Sequence, residues 1–151
     1  MESVSNASVR ISLRHVTDEI EKHALEAYPE ECCGFLLGAE KGGTIEITGT
    51  QSVENTRGEN RTHRYLITPE QFLQAEVLAD NRGCELVGGY HSHPDHPAVP
   101  SQYDLEHALP GFVYLILSVR EGRLEAWRWW MLTDNHRQFD ELQFKQISKE
   151  E

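Results

Sequence analysis

The 151-residue chain contains few cysteines and no long apolar segment. Its three cysteines are odd in number, and adjacent Cys32 and Cys33 are poorly suited to bridging, which favours reduced thiols over a disulfide-stapled fold. No C-x-x-C pair is present, which argues against a structural zinc site. No stretch reaches the ~18 apolar residues that a membrane helix needs, and the first residues lack a signal-peptide layout. The sequence therefore predicts a cytoplasmic protein.

Basic side chains are also scarce, with 14 lysines and arginines against 25 aspartates and glutamates and a formal charge of −11. Nucleic-acid binding is dominated by basic side chains that neutralise phosphates, so this charge disfavours a nucleic-acid partner. It disfavours an anionic membrane surface for the same reason. A protein or peptide partner with a basic surface is favoured by long-range attraction. The length predicts one domain over residues 1–151, and the oligomeric state is not indicated.

Apolar periodicity predicts a mixed sheet with helices packed on it, an α+β arrangement. Strands are predicted at 9–13, 33–37, 44–53, 86–91, 112–119, 124–132 and 139–144. Helices are predicted at 17–28, 68–81 and 101–108. Thr17 and Thr68 are the predicted N-caps of the first two helices. The polar segment 55–62 is predicted to be a loop near a substrate groove, followed by His63 in a solvent-facing strand.

Most of the functional signal lies between residues 91 and 104. His91 and His93 are two residues apart, a spacing that puts both side chains on one face only if this segment is an extended strand. After a proline-rich bend, Ser101 and Asp104 are three apart, the spacing of two side chains on one helix face. A strand that supplies two imidazoles and a helix that supplies one carboxylate can hold a metal at three corners. The fourth corner stays open for water, as in catalytic zinc sites.

Two other interpretations of this segment are open. Ser-x-x-Asp is also a helix capping box, with Ser101 at the N-cap and Asp104 in the first turn. Residues 91–96 also spell H-x-H-x-D-H, which resembles the dinuclear metal loop of metallo-β-lactamase-type hydrolases. That interpretation makes Asp95 and His96 ligands and leaves Asp104 unused. It needs further ligands downstream, where only two histidines follow, so His96 is instead expected to support a ligand or to face solvent.

The complete spacing resembles the JAMM motif of the MPN domain, the Mov34/MPN/PAD-1 metallopeptidase family. That motif places a glutamate upstream in an E-x-x-G segment followed by three hydrophobic residues and a glycine, and residues 31–38 read Glu-Cys-Cys-Gly-Phe-Leu-Leu-Gly. The resemblance implies the MPN fold and a bound zinc ion. It also implies roles for five residues: His91, His93 and Asp104 as zinc ligands, Glu31 as general base and Ser101 as oxyanion donor. Glu30 is a rival base, but only Glu31 keeps the register with the glycine.

Such a site would be a hydrolase centre. Two neutral imidazoles and one carboxylate leave a zinc site with net positive charge, which lowers the pKa of bound water to about 7. Glu31 would take the proton of this water and deliver it to the leaving amine. The resemblance to the stand-alone bacterial branch implies a zinc-dependent peptidase or isopeptidase acting at the C-terminal tail of a small ubiquitin-like sulfur-carrier protein. A non-catalytic MPN scaffold that assembles partners is the alternative.

Three further features have predicted places in the molecule. The face formed by Trp127, Trp129 and Met131, with Trp130 opposite, is predicted to pack in the core. Tyr103 and His107 are predicted to lie near the site on the short helix. The predicted strands at 44–53 and 86–91 are expected to border an extended groove, where a Gly-Gly tail would bind by adding main-chain hydrogen bonds.

Overall fold

Seven strands and three helices lie within the residues that the computed structural model describes, which are 9–14, 16–54, 68–133, 135 and 137–147. The strands are β1 (Arg10–Arg14), β2 (Cys33–Lys41), β3 (Thr44–Val53), β4 (Glu85–Pro94), β5 (Val113–Arg120), β6 (Arg123–Leu132) and β7 (Phe139–Ile147). The helices are α1 (Thr17–Ala27), α2 (Pro69–Asn81) and α3 (Gln102–His107). The predicted loop at 55–62 and His63 lie outside the described residues. None of these three helices is long and apolar enough to cross a bilayer.

The strands form a closed barrel in the order β1-β3-β2-β4-β5-β6-β7, and β7 returns to pair with β1. The pairs β1–β3, β1–β7 and β4–β5 are parallel, and the other pairs are antiparallel. This mixed sheet, with α1 and α2 in contact with it, confirms the predicted α+β class. Closure is not predicted by the apolar pattern, because it depends on β1 pairing with two strands that are distant in sequence.

The main core cluster combines side chains of α1 with side chains from the barrel strands. Ile20 of α1 and Trp129 of β6 are both fully buried in it, and Met131 is buried alongside. Trp127 packs against the same cluster, while Trp130 on the opposite face is buried in a separate, smaller cluster. The predicted core role of this aromatic strand is confirmed.

One predicted helix start is confirmed and another is wrong by one residue. Thr68 Oγ1 accepts the N–H of Gln71 at 3.2 Å, and Gln71 Oε1 accepts the N–H of Thr68 at 2.8 Å, which completes a capping box. Thr17 was predicted as an N-cap, but α1 begins at Thr17, and Val16 occupies the N-cap without a side-chain hydrogen bond. Val16 is 2% exposed and packs in the main core cluster, so this position contributes apolar burial and no capping hydrogen bond.

Candidate metal centre

The register between β2 and β4 brings Glu31 to the same face of the sheet as the two histidines. These strands are antiparallel, and Cys33 lies opposite His91. Continuing this register by two residues puts Glu31 opposite His93, and residues two apart on a strand face the same side. Glu31 is 5% exposed, and its charge acts on the His93 imidazole. Glu30 is exposed instead, so Glu31 is the acidic residue of this pair that is buried beside the histidines.

A reciprocal contact fixes that register next to the site. The N–H of Cys32 donates to Ser92 Oγ at 2.8 Å, and the N–H of Ser92 donates to the Cys32 carbonyl at 3.0 Å. Ser92 lies between the two histidines in sequence, so its side chain points to the opposite face of the strand. The contact therefore holds the start of β2 against β4 without occupying the space between the histidines.

Two glycines allow close packing around the same strand. A Cβ atom at Gly34 would lie 2.3 Å from the ring of Tyr90, the residue that precedes His91. A Cβ atom at Gly88 would lie 2.0 Å from the carbonyl oxygen of Val113 on β5. A larger residue at either position would displace β4 or its neighbours, and with them the histidines.

Three side chains converge on one point: His91 and His93 from β4, and Asp104 from α3. His91 Nε2 lies 3.1 Å from His93 Nε2 and 3.1 Å from Asp104 Oδ1. His93 Nε2 lies 3.2 Å from Asp104 Oδ2. The three side chains are 2%, 11% and 7% exposed, respectively. Two imidazoles and a carboxylate at these separations form a group that can hold a metal ion.

The loop between β4 and α3 is fixed by contacts to β5 and β6. Ser118 Oγ donates to the His96 carbonyl at 2.5 Å, and Trp130 Nε1 donates to the Ala98 carbonyl at 3.1 Å. His93 Nδ1 lies 2.8 Å from the Pro97 carbonyl oxygen, which can only accept a hydrogen bond. Nδ1 therefore carries the hydrogen, and the lone pair of Nε2 faces the point where the three side chains meet.

Ser101 and Asp104 form a complete capping box at the start of α3. The N–H of Asp104 donates to Ser101 Oγ at 3.1 Å, and the N–H of Ser101 donates to Asp104 Oδ2 at 2.8 Å. The capping interpretation is confirmed, and it is compatible with the metal interpretation because the same carboxylate contacts both histidines. The cap holds the Asp104 carboxylate in place and uses Ser101 Oγ as an acceptor, so the Ser101 hydroxyl hydrogen is directed away from this amide.

Burial and mutual contacts shift the pKa values of the converging groups. Burial lowers the pKa of His91 below its ordinary value, despite the opposing charge of Asp104. Burial also acts to lower the pKa of His93, but hydrogen bonds to Asp104 and the Pro97 carbonyl and the charges of Asp104 and Glu31 outweigh it and raise the pKa. Burial acts to raise the pKa of Asp104, but the two histidines and the Ser101 N–H hold it well below its ordinary value. The carboxylate therefore stays ionised at neutral pH.

Two cavities, each about 530 Å³, open at the site. The metal cleft is lined by Glu31, His93, Pro94, His96, Pro97, Val99, Ser101, Tyr103 and Asp104. The apolar groove is lined by Gly34, Phe35, Thr68, Pro69, Phe72, Gly88, Gly89, Tyr90, His91, Tyr103, His107, Leu109, Phe112 and Tyr114. The predicted position of Tyr103 and His107 near the site is confirmed. The phenylalanines of the groove were missed, because apolar residues in a helix or beside a strand are equally typical of a core.

The metallo-β-lactamase-type interpretation is not supported by the positions of its ligands. Asp95 is exposed, and its carboxylate accepts hydrogen bonds from the Tyr28 hydroxyl at 2.8 Å and the Glu121 N–H at 2.9 Å. His96 is exposed and lines the cleft, but it does not belong to the converging group. His96 therefore fits the expectation of a solvent-facing residue.

A barrel that brings two histidines and a carboxylate to one point, with a buried glutamate just before the adjacent strand, defines a hydrolase of the JAMM metallopeptidase class. The chain matches the family described as prokaryotic homologs of the JAB domain over residues 13–130, and it belongs to that family. The predicted family, its fold and the enzyme class are thereby confirmed.

Two relatives and one solved structure support this assignment. The chain is 38% identical to the desampylase of Haloferax volcanii over 128 residues, which cover 81% of this chain and 89% of the relative. It is 30% identical to a probable TtuB-protein conjugate cleaving protease of Thermus thermophilus over 68% of this chain and 66% of that protein. The solution structure of a protein from Salinibacter ruber is 40% identical, with a TM-score of 0.71 and coverage of 92% of both chains. Peptidase or isopeptidase action of the JAMM type, as predicted, agrees with these named relatives.

Proposed function

We propose that this protein is a zinc-dependent isopeptidase that cleaves at the C-terminal tail of a small ubiquitin-like protein of the sulfur-carrier type. The observation that carries the proposal is the convergence of His91, His93 and Asp104, with Glu31 buried just before the neighbouring strand β2. The names of the two relatives, a desampylase and a conjugate cleaving protease, support the substrate class. Buried thiols at Cys32 and Cys33 suit action in a reducing cytoplasm.

The donor set fits zinc. Two imidazole nitrogens and one carboxylate oxygen are ligands that catalytic zinc sites use. Zinc–ligand bonds of ~2.0–2.1 Å in a tetrahedron put neighbouring ligand atoms roughly 3.3 Å apart. The three contacts in this group are 3.1, 3.1 and 3.2 Å, with a different Asp104 oxygen facing each histidine. His91, His93 and Asp104 would hold the ion, and a bound zinc ion supplies a Lewis acid that makes water a nucleophile at neutral pH.

Glu31 is proposed as the general base. It lies across from His93 and lines the metal cleft, whereas Glu30 does not. In hydrolysis the water oxygen bonds to the amide carbon, the carbon–nitrogen bond breaks, and a water proton must reach the leaving nitrogen. Glu31 accepts that proton and delivers it to the amine, because an unprotonated amine is a poor leaving group.

Ser101 is proposed as the oxyanion donor. Its Oγ is anchored by the Asp104 N–H, so the hydroxyl stays beside the ligand carboxylate while its hydrogen can donate into the cleft. A positioned donor of this kind contributes ~3–4 kcal/mol to the transition state.

The predicted groove between the strands at 44–53 and 86–91 requires correction, because β2 pairs with both β3 and β4 and lies between them. Residues 88–91 of β4 pair with β2 on one side and with β5 on the other, so this segment has no free edge to which a peptide could add. The cavity that reaches His91 is the apolar groove, which α2 and the segment before β5 border. We assign the carrier tail to this groove.

The proposal is tested with a carrier protein that ends in Gly-Gly and is joined through its C-terminus to the lysine of a reporter peptide. Zinc-loaded wild-type protein should release the peptide, and mass spectrometry of the products should show hydrolysis after the last glycine. Glu31→Gln should retain zinc and lose about 10²–10⁴-fold in turnover, the usual contribution of a general acid–base group.

Glu30→Gln is the matched control, since it changes the adjacent exposed carboxylate in the same way. Its turnover should equal that of the wild type. Equal turnover in wild type and Glu31→Gln would give the base role to another group. A protein that holds zinc but cleaves no conjugate, even with partners supplied, would favour the non-catalytic scaffold.

A further inference from the structure

Tyr103 stands at the boundary between the two cavities. Among the described residues, it is the one side chain that lines both the metal cleft and the apolar groove. It precedes the ligand Asp104 in α3 and is partly exposed. Glu31 and His93 lie on the cleft side of this boundary, and His91 lies on the groove side. A substrate that occupies both cavities must pass Tyr103 next to the metal ligands.

His107 braces the Tyr103 ring by stacking on it, and both side chains line the apolar groove. The two rings are stacked, with their centroids 4.0 Å apart and their planes at 25°. His107 Nδ1 also lies 2.8 Å from the Tyr103 carbonyl oxygen, one helical turn earlier. Stacking across one turn restricts rotation of the tyrosine side chain. The stacking therefore restricts the Tyr103 ring at the place where the two cavities meet.

If the proposed function holds, proton delivery by Glu31 to the leaving amine determines which part of the substrate lies on each side of the Tyr103 ring. Glu31 lines the cleft, so the leaving lysine nitrogen lies there, where it can receive a proton. The acyl part of the substrate, which is the carrier tail, then extends into the apolar groove. Phe72 and Phe112 line this groove as a stacked pair, with nearly parallel rings whose centroids are 5.9 Å apart.

We propose that Tyr103 is a specificity-determining residue, and that its braced ring restricts the carrier residue before the terminal glycine to glycine. The last residues of the tail must pass from the groove to the metal ligands beside this ring. A β-carbon with branches at that position would collide with the ring, whereas glycine presents only backbone. This inference rests on the proposed isopeptidase function and names the residue that sets its selectivity.

The test compares two lysine conjugates that differ only in the penultimate carrier residue, one ending Gly-Gly and one ending Val-Gly. The readout is the ratio of the two kcat/KM values. Wild-type protein should prefer Gly-Gly by roughly 10–200-fold or more, because a single extra methylene group already produces discrimination in that range. In Tyr103→Ala the ratio should fall by about tenfold or more, while Tyr103→Phe, which keeps the ring, should retain the wild-type ratio.

A merely structural role of Tyr103 would slow both conjugates equally and leave the ratio unchanged, and that result would overturn the inference. If Tyr103→Ala does not fold, Tyr103→Leu removes the flat ring with a smaller loss of volume and is judged by the same ratio.

A second readout needs no turnover. Glu31→Gln protein should bind the Gly-Gly carrier more tightly than the Val-Gly carrier in titration calorimetry, and adding Tyr103→Ala should remove the difference in affinity. Wild-type protein that cleaves neither conjugate would contradict the isopeptidase function, whereas equal binding of both carriers to Glu31→Gln would contradict the role of Tyr103.

Discussion

Replacement of Ser92 by alanine tests how the fold positions Glu31. Ser92 is 1% exposed, and its hydroxyl oxygen accepts the buried N–H of Cys32 at 2.8 Å. The substitution removes that acceptor and leaves the amide without its partner, which costs about 1–3 kcal/mol of unfolding free energy. For a chain of this size, that corresponds to a fall in Tm of roughly 2–12 °C.

Ser12→Ala is the matched control for this experiment. Ser12 is also a buried serine on a strand, but its Oγ has no hydrogen-bond partner among the described residues. Removing an unpartnered buried hydroxyl should leave stability unchanged or raise it. The measurement is urea unfolding of zinc-free protein, so that metal binding does not contribute to the difference.

A functional effect should accompany the loss of stability. Loss of the bond loosens the segment just before β2, where Glu31 and Cys32 lie, but leaves the histidines of β4 in their own strand. Ser92→Ala should therefore keep its zinc and show a lower kcat. Equal stability of Ser92→Ala and Ser12→Ala, together with a normal kcat, would refute the argument that this contact positions the base.

Two further predictions concern the metal ligands. Gly34→Ala would put a Cβ atom 2.3 Å from the Tyr90 ring, so it should lower stability by about 1–3 kcal/mol and weaken zinc binding. Gly49→Ala, whose Cβ would lie 3.4 Å from the end of the Arg82 side chain, should be tolerated, and equal losses in both variants would contradict the packing argument. Zinc affinity, measured by chelator competition, should fall as the pH is lowered, because the raised pKa of His93 makes protons compete with the metal at a higher pH than for an ordinary histidine. A zinc affinity that stays constant down to about pH 5 would contradict the raised pKa of His93.

The local features of the fold and site could be predicted from sequence because each depends on neighbouring residues. The alternation of apolar residues correctly predicted the bounds of β3, and the Thr68 capping signal correctly predicted the start of α2. The spacing of His91 and His93 required a strand, and that of Ser101 and Asp104 required a helix; both are present. The assignment of catalytic and ligand roles to these residues remains a prediction, as does a single domain over residues 1–151.

The features that could not be predicted depend on contacts between distant segments. The proximity of Glu31 to His93 follows from the pairing register of β2 with β4, which no local pattern specifies. Closure of the barrel depends on β1 pairing with both β3 and β7. The apolar groove combines Phe72 of α2 with Phe112, which precedes β5. Nothing in the local sequence distinguishes these two phenylalanines from residues of an ordinary core.

The measurement that tests the central claim most directly is the zinc content of purified variants, determined by elemental analysis. Wild-type protein should hold one equivalent of zinc, and Asp104→Ala should lose it because one of three converging ligands is removed. His96→Ala should keep it, since His96 lies in the cleft but outside the converging group. Full zinc occupancy in Asp104→Ala, with loss in His96→Ala, would contradict this account and support the alternative metallo-β-lactamase-type ligand set.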